Sequence, residues 1–236
     1  MQRYFSNLIN NNEYLLSNDD SYHIKKVMRM NIGEKIEIVD NKKLYICEIT
    51  SLDPVKAKVI NSLDDNNEND KKIILVQSLV NETKMDYVLQ KGTELGVNEF
   101  YAYKAVNSVI KENDKSNKKI VRWQKIVKES SEQSKRNIIP KVVDIVDISR
   151  LCKIEADVKL LLTVREMTKN IKNILKELKK YDTLIIVIGP EGGFTKKEED
   201  TLIENGFIST SLGKRVLRSE TAGMVAISMI NYEWMV

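Results

Sequence analysis

The sequence predicts an α/β domain with a mostly parallel sheet, preceded by a small β-rich domain. Three observations carry that prediction. Early in the chain, apolar and polar residues alternate in short runs such as Lys35–Val39 (KIEIV). From residue 72 onward the apolar runs are continuous and are spaced by stretches of helical periodicity. Between the two rhythms lies Ser62–Asp70 (SLDDNNEND), which is polar, acidic and without apolar periodicity. Alternation marks strands with one face in water, whereas continuous apolar runs mark strands covered on both faces by helices. The expected domains are therefore residues 1–70 and 71–236.

In the first part, Ser21–Met30 places Ile24, Val27 and Met28 at helical spacing, with Ser21 as candidate N-cap. Lys35–Val39, Leu44–Ile49 and Val55–Ile60 read as strands, with Gly33 and Asp40-Asn41 as turn residues. Short strands joined by tight turns suggest a small barrel or sandwich. In the second part, Lys72–Val80 is a strand. Lys84–Leu95 is a helix with Met85, Val88, Leu89 and Gly92 on one stripe, closed by Gly96. Glu99–Ala105 is a strand and Lys118–Lys135 a long basic helix, although Ser130–Ser134 makes a poor helix interior. Strands Lys141–Val146, Val158–Thr163, Thr183–Ile188 and Phe207–Leu212 then alternate with helices Thr168–Lys180, Thr195–Glu204 and Glu220–Met235. The last helix is apolar nearly all round, which fits a core helix or one shared between two copies in a homodimer.

Composition excludes several classes. The 236 residues are 42% hydrophobic and 31% charged, a globular balance. No apolar run approaches the roughly 18 residues that span a bilayer. The opening MQRYFSNLINNNEY has neither an apolar signal core nor a transit pattern, so a cytoplasmic protein is expected. Two cysteines, Cys47 and Cys152, and one histidine, His23, disfavour a disulfide framework, a metal centre and a Cys-His nucleophile. Cys47 reads as a small hydrophobe and His23 as a packing residue. Residues 1–70 carry 9 basic and 12 acidic side chains, and residues 71–236 carry 29 and 22. The basic surplus of the second part fits a polyanion-binding surface or simply a lysine-rich composition.

Two segments hold the candidate chemistry. In Leu184–Glu204 an apolar strand runs into Gly189-Pro190-Glu191-Gly192-Gly193 and then a helix opened by a Thr195/Glu198 capping box. Ligands of open α/β sheets bind beyond strand carboxyl ends, and glycines there let a ligand approach the backbone. Glu191 argues against a phosphate and for a cationic or hydroxyl-bearing ligand; the pattern is neither a P-loop nor a dinucleotide fingerprint. A plain tight turn is the alternative. In Ser211–Ala222 (SLGKRVLRSETA), Arg215 and Arg218 bracket Val216-Leu217 at another strand end, with Ser219 or Thr221 able to cap the last helix. Both segments could wall one crevice. A third stretch, Lys111–Lys141, holds ten basic and four acidic residues around Trp123. It could meet RNA phosphates and stack a base, or be a solvated helix face with Trp123 in the core.

At these residues the sequence resembles the RsmE family, bacterial 16S rRNA uridine-N3 methyltransferases of the SPOUT class. The likeness runs through Met1–Phe5 (MQRYF), His23–Met30 (HIKKVMRM), Lys91–Gly96 (KGTELG), Glu132–Arg136 with Pro140, Ile188–Gly193 (IGPEGG) and Leu212–Ala222 (LGKRVLRSETA). The last two together are the specific signature. Ser219 stands where the family loop carries threonine or alanine and keeps a hydroxyl, so little is lost; Lys214 stands where it carries proline and removes a conformational lock, so a slightly weaker cofactor grip is expected. The resemblance implies an N-terminal PUA-like RNA-binding β-barrel and a SPOUT domain with a C-terminal trefoil knot, acting as a homodimer. It implies S-adenosyl-L-methionine as cofactor, held by Leu162, Thr163, Gly189, Glu191, Gly192, Leu212, Gly213, Val216, Leu217, Arg218 and Ser219. It implies small-subunit rRNA, naked or in an assembled 30S-type subunit, as partner, with Arg3, Arg29, Arg122, Lys135 and Arg136 as RNA contacts. Membrane and metal are not expected. Candidates for the reaction itself are Arg3, Arg136, Arg218 and Glu191, with no general base assigned. The alternatives are a SPOUT enzyme acting at another RNA position and a non-catalytic ribosome-assembly factor.

Overall fold

A computed structural model describes residues 1–10, 12–108, 116–178 and 181–234. Its chain divides into two compact units: Met1–Glu68 with Ser131–Ile138, and Asn69–Ser130 with Ile139–Val236.

The first unit begins with three short strands, β1 (Arg3–Phe5), β2 (Leu8–Asn10) and β3 (Glu13–Leu15). Three residues are too few to show a period, so the sequence did not reveal them. Helix α1 (Asn18–Tyr22) follows and runs into a π-helical turn, His23–Val27. Ser17, not Ser21, is the N-cap: its hydroxyl accepts from the Asp20 amide at 3.1 Å. The helix thus starts earlier than expected, and Ser21 lies inside it. Strands β4 (Lys35–Asp40), β5 (Lys43–Leu52) and β6 (Val55–Leu63) form an antiparallel meander. The full order is β1-β4-β5-β6-β3-β2, with β1 parallel to β4. Alternation sends Ile36 and Ile38 of β4 and Cys47 and Ile49 of β5 inward, where they pack with Tyr4, Tyr14, Leu16 and Ile24. Burial pushes the Cys47 thiol up to about 12, consistent with a packing role.

The second unit is a six-stranded parallel sheet of order β12-β10-β11-β7-β8-β9. In chain order its elements are β7 (Lys72–Ser78), α2 (Glu82–Glu94), β8 (Glu99–Tyr103), α3 (Ser116–Gln133), β9 (Lys141–Val146), α4 (Ile148–Cys152) and β10 (Val158–Leu162). Then come α5 (Ile171–Glu177), β11 (Thr183–Ile188), α6 (Lys196–Glu204), β12 (Ile208–Thr210) and α7 (Ser219–Trp234). Period two sorts the central strands between two cores. Ile73 and Leu75 of β7 with Leu184, Ile186 and Ile188 of β11 face one; Ile74 and Val76 with Ile185 and Val187 face the other. Each such side chain, fully covered, contributes roughly 1.5–3 kcal/mol. Gly92 of α2 is required by packing, because a Cβ there would lie 2.7 Å from Phe100 Cε1.

Several boundaries differ from the sequence expectation. Asn170 caps α5 through the Asn173 amide at 3.0 Å, so that helix starts after the expected Thr168. Residues 179 and 180 at its expected end, and Met235 of the last helix, lie outside the described residues, as do residues 111–115 of the basic stretch. The edge strand β12 is shorter than Phe207–Leu212. Helix α3 continues through Ser130 and Ser131 because both are buried, and tertiary packing outweighs their weak helix propensity. Among the described residues no helix is long and apolar enough to cross a membrane.

Candidate active site

The carboxyl ends of β10 and β11 open into a crevice of about 530 Å³. Its walls are Leu162 and Thr163 from β10's end, Ile188 and the 189–193 turn after β11, and Val216–Ser219 before α7. A second cavity of about 530 Å³ adjoins it; the two share Leu162, Thr163, Val164, Val216, Leu217 and Ala222, and the second adds Leu212 and Gly213. Of the eleven residues singled out from the sequence for a cofactor, nine line the first cavity, and the other two, Leu212 and Gly213, line its neighbour. The chemistry of the lining suits a bent nucleoside: apolar walls with a few placed polar groups, in a volume of ligand size.

Short polar side chains hold this space open. Ser78 Oγ, at the end of β7, donates to the Ile188 carbonyl at 2.7 Å. Gln77 Nε2 donates to Ser219 Oγ at 2.8 Å, and Ser219 Oγ donates to the Gly189 carbonyl at 2.5 Å. Ser219 therefore ties α7 to the glycine turn. Ser219 is the first residue inside α7 and Thr221 lies deeper in it, so neither sits at the cap position expected from sequence. Asn107 Nδ2 donates to the carbonyls of Gly192 at 3.3 Å and Gly193 at 3.0 Å. A Cβ on Gly192 would sit 3.1 Å from Asn107 Cβ, a tight contact.

Helix α6 starts where the turn ends, and the Thr195/Glu198 capping box read from the sequence is present. Glu198 also accepts from Tyr103 Oη at 2.7 Å and the Val106 amide at 2.9 Å. Burial alone would raise its pKa, but these donors outweigh burial and hold the carboxyl below its usual range. Next to it, Glu199 accepts from Thr163 Oγ1 at 2.5 Å and Arg165 Nη1 at 2.8 Å. At the crevice mouth Lys84 Nζ donates to Glu191 Oε1 at 2.8 Å, and this bond is the main reason the Glu191 carboxyl is held low. Sequence reading missed Gln77, Ser78, Lys84, Asn107 and Glu199. The one local signal was the polar Gln77-Ser78 pair ending an otherwise apolar strand.

The charged candidates fare differently. Arg218 is exposed on the crevice wall. Arg3 and Arg136, expected to be free for RNA or anion contact, are buried at 2% and 4% exposure. Arg3 Nε donates to Glu37 Oε2 at 2.8 Å, and its Nη1 reaches the Lys135 and Arg136 carbonyls and, at 2.6 Å, Asn137 Oδ1. Arg136 Nη2 donates to Glu68 Oε2 at 2.6 Å, while the Asn137 and Ile138 amides donate to Glu68 Oε1 at 2.8 and 3.1 Å. All of these groups belong to the first unit, so both guanidiniums are structural within it. Lys135 Nζ donates to Glu37 Oε2 at 3.0 Å. Arg122 is exposed and forms a forked pair with Asp86 at 2.8 Å on both arms. Trp123 is buried at 4% exposure, so it packs in the core and is not a stacking platform. Arg29 is exposed, in the left-handed region with φ +53°. His23 Nδ1 meets Tyr4 Oη at 2.9 Å, a packing contact. Among the described residues no group of three or more His, Cys, Asp or Glu is arranged to hold a metal.

Comparison with known proteins gives this geometry a family. Residues 67–231 match the RNA methyltransferase domain and residues 16–60 the RNA methyltransferase PUA domain. Ribosomal RNA small subunit methyltransferase E of Bacillus subtilis is 36% identical over 99% of this chain and 97% of its own. The protein of that name from Mesomycoplasma hyopneumoniae is 33% identical over 97% and 98%. A crystal structure of ribosomal RNA small subunit methyltransferase E from Neisseria gonorrhoeae bound to S-adenosyl methionine superposes with a TM-score of 0.89 at 28% identity, covering 99% of this chain and 98% of that one. The first unit is thus PUA-like, and the chain as a whole belongs to the ribosomal RNA small subunit methyltransferase E family.

Proposed function

We propose that the protein methylates N3 of a uridine in small-subunit rRNA, using S-adenosylmethionine held in the crevice at the ends of β10 and β11. The observation that carries this reading is the convergence of three separate chain segments, at residues 162–163, 189–193 and 212–219, on one nucleoside-sized space. When bound, the cofactor supplies an electrophilic methyl group on a cationic sulfonium. The protein's own part is placement. Leu162, Ile188, Val216 and Leu217 offer apolar walls for a ring, and the glycine turn lets main-chain groups approach. Holding donor and acceptor in line accounts for much of the rate gain in a displacement of this kind. Arg218, exposed on the wall, is the cation suited to the negative charge that grows on a uridine losing its N3 proton. Glu191 stays ionised at neutral pH beside Lys84, so it orients and does not donate a proton.

N3 lies on the pairing edge, so the target base must be unpaired or extruded. We assign backbone contacts of the RNA to Arg29, and to Lys135 and Arg122 where phosphate competes with their carboxylate partners. Helices α5 and α7 carry a cavity of about 520 Å³ lined by Ile171, Leu175, Met224, Val225, Met229 and Tyr232, with Tyr232 79% exposed. That face supports a homodimer, which sedimentation would show as a doubled mass. The work is done in the cytoplasm, where ribosomal subunits are assembled. The test is incubation with labelled donor and small subunits lacking the modification, followed by mass mapping. Label on N3 of one uridine is expected; label on another RNA, or none, refutes the reading.

A further inference from the structure

One cation of the crevice has no role in the reading above beyond its neighbour. Lys84 stands in the first turn of α2, where Asn81 Oδ1 accepts its amide at 2.9 Å and fixes the helix start. Its ammonium lies 2.8 Å from Glu191 Oε1 and 3.5 Å from Glu220 Oε2. Glu220 opens α7, and its Oε2 is buried and accepts no hydrogen bond among the described residues. The start of α2, the glycine turn and the start of α7 therefore meet at one ammonium, which itself lines the crevice. The other charges on the lining are Arg165, paired with Glu199, and the exposed Arg218. Without Lys84, Glu191 on the lining would lose the ammonium that pairs it, and Glu220, next in the chain to the lining residue Ser219, would lose the same partner.

We propose that Lys84 is a positioning residue for methyl transfer, acting through Glu191 and Glu220 to keep the crevice electrically balanced while the donor loses its charge. The inference rests on the crevice being the S-adenosylmethionine site. In the step, the S–CH3 bond breaks with its electron pair staying on sulfur, the N3–CH3 bond forms, and the N3 proton passes to water. Positive charge leaves the sulfur on the way to the transition state. Uncompensated carboxylates favour the cationic ground state over that transition state and over the uncharged-sulfur product. An ammonium fixed between them removes the bias.

Calorimetric titration of S-adenosylmethionine and S-adenosylhomocysteine into the full chain tests this, using wild type, Lys84→Met and Lys84→Arg. In Lys84→Met the ratio of the product Kd to the donor Kd should widen about three- to tenfold and shrink again at high salt. Single-turnover transfer should slow, Lys84→Arg should restore the ratio, and adding Glu191→Gln to Lys84→Met should narrow it. A brace with no electrostatic role would weaken both ligands by the same factor. That result, or an unchanged ratio, overturns the proposal. If wild type binds neither ligand, the cofactor reading itself fails and takes this proposal with it, a failure visible before any variant is made.

Discussion

The first unit and the crevice of the second both depend on groups far apart in sequence, but they use opposite materials. In the first unit, Arg3, Glu37, Glu68 and Arg136 form a buried, charge-dense pin that fastens residues 135–138. The crevice is built from hydroxyls, amides, carbonyls and glycines, with its charges at the rim. Guanidiniums span long distances and satisfy several acceptors at once, which suits a permanent fastening. A site that must admit and release a ligand is better served by short groups already bonded to the protein. Arg3 and Arg136 are thus structural, whereas Arg29, Arg122 and Arg218 are exposed.

The contrast can be broken at its strongest point first. Arg3→Ala should cost about 3–5 kcal/mol, because it takes the guanidinium from buried Asn137 Oδ1 and the Arg136 carbonyl and leaves Glu37 with Lys135 alone; urea unfolding would show it, and a loss under about 1 kcal/mol would mean the pin is not structural. Gly192→Val should weaken S-adenosylmethionine binding at least about 100-fold, equivalent to roughly 2.7 kcal/mol, while the unfolding midpoint hardly moves. The bulk of a valine on the crevice lining, in tight contact with Asn107, is the reason. Calorimetry with unchanged binding would place the site elsewhere.

Glu198→Gln should cost about 1–3 kcal/mol, since an amide cannot accept from all of the donors now converging on the carboxylate. The pH dependence follows from the folded carboxyl lying below its usual 4.5. Its contribution is full above that value and is lost as pH falls through the lower folded value. Wild type should thus lose stability on acidification below pH 4.5 more steeply than Glu198→Gln; parallel curves would contradict this. Asn107→Ala should have the smallest effect, weakening donor binding about fivefold through a looser turn; no change in calorimetry would show that the turn holds itself.

The sheet was legible because residues buried on both faces are apolar without interruption, as in Leu184–Ile188 and Ile73–Val76. The crevice walls were legible because glycine clusters next to a capping box mark a strand end. What escaped was the bonding between distant positions. Gln77 meets Ser219 from 142 residues away, and Lys84 meets Glu191 from 107. No local period encodes such pairs. Arg136 misled for a related reason, and Trp123 was left open between core and surface: a basic neighbourhood says nothing of which side of a helix or turn faces inward. The π-helical turn at His23–Val27 likewise has no composition of its own.

Residues 131–138 pack with the first unit although they lie deep inside the sequence of the second. Neither half can consequently be obtained by severing the polypeptide near position 70. A fragment ending there would leave Arg3 and Glu68 without the stretch they clasp, and the remainder would carry that stretch with nothing to clasp it. Such interleaving disfavours swapping the amino-terminal module for a foreign substitute.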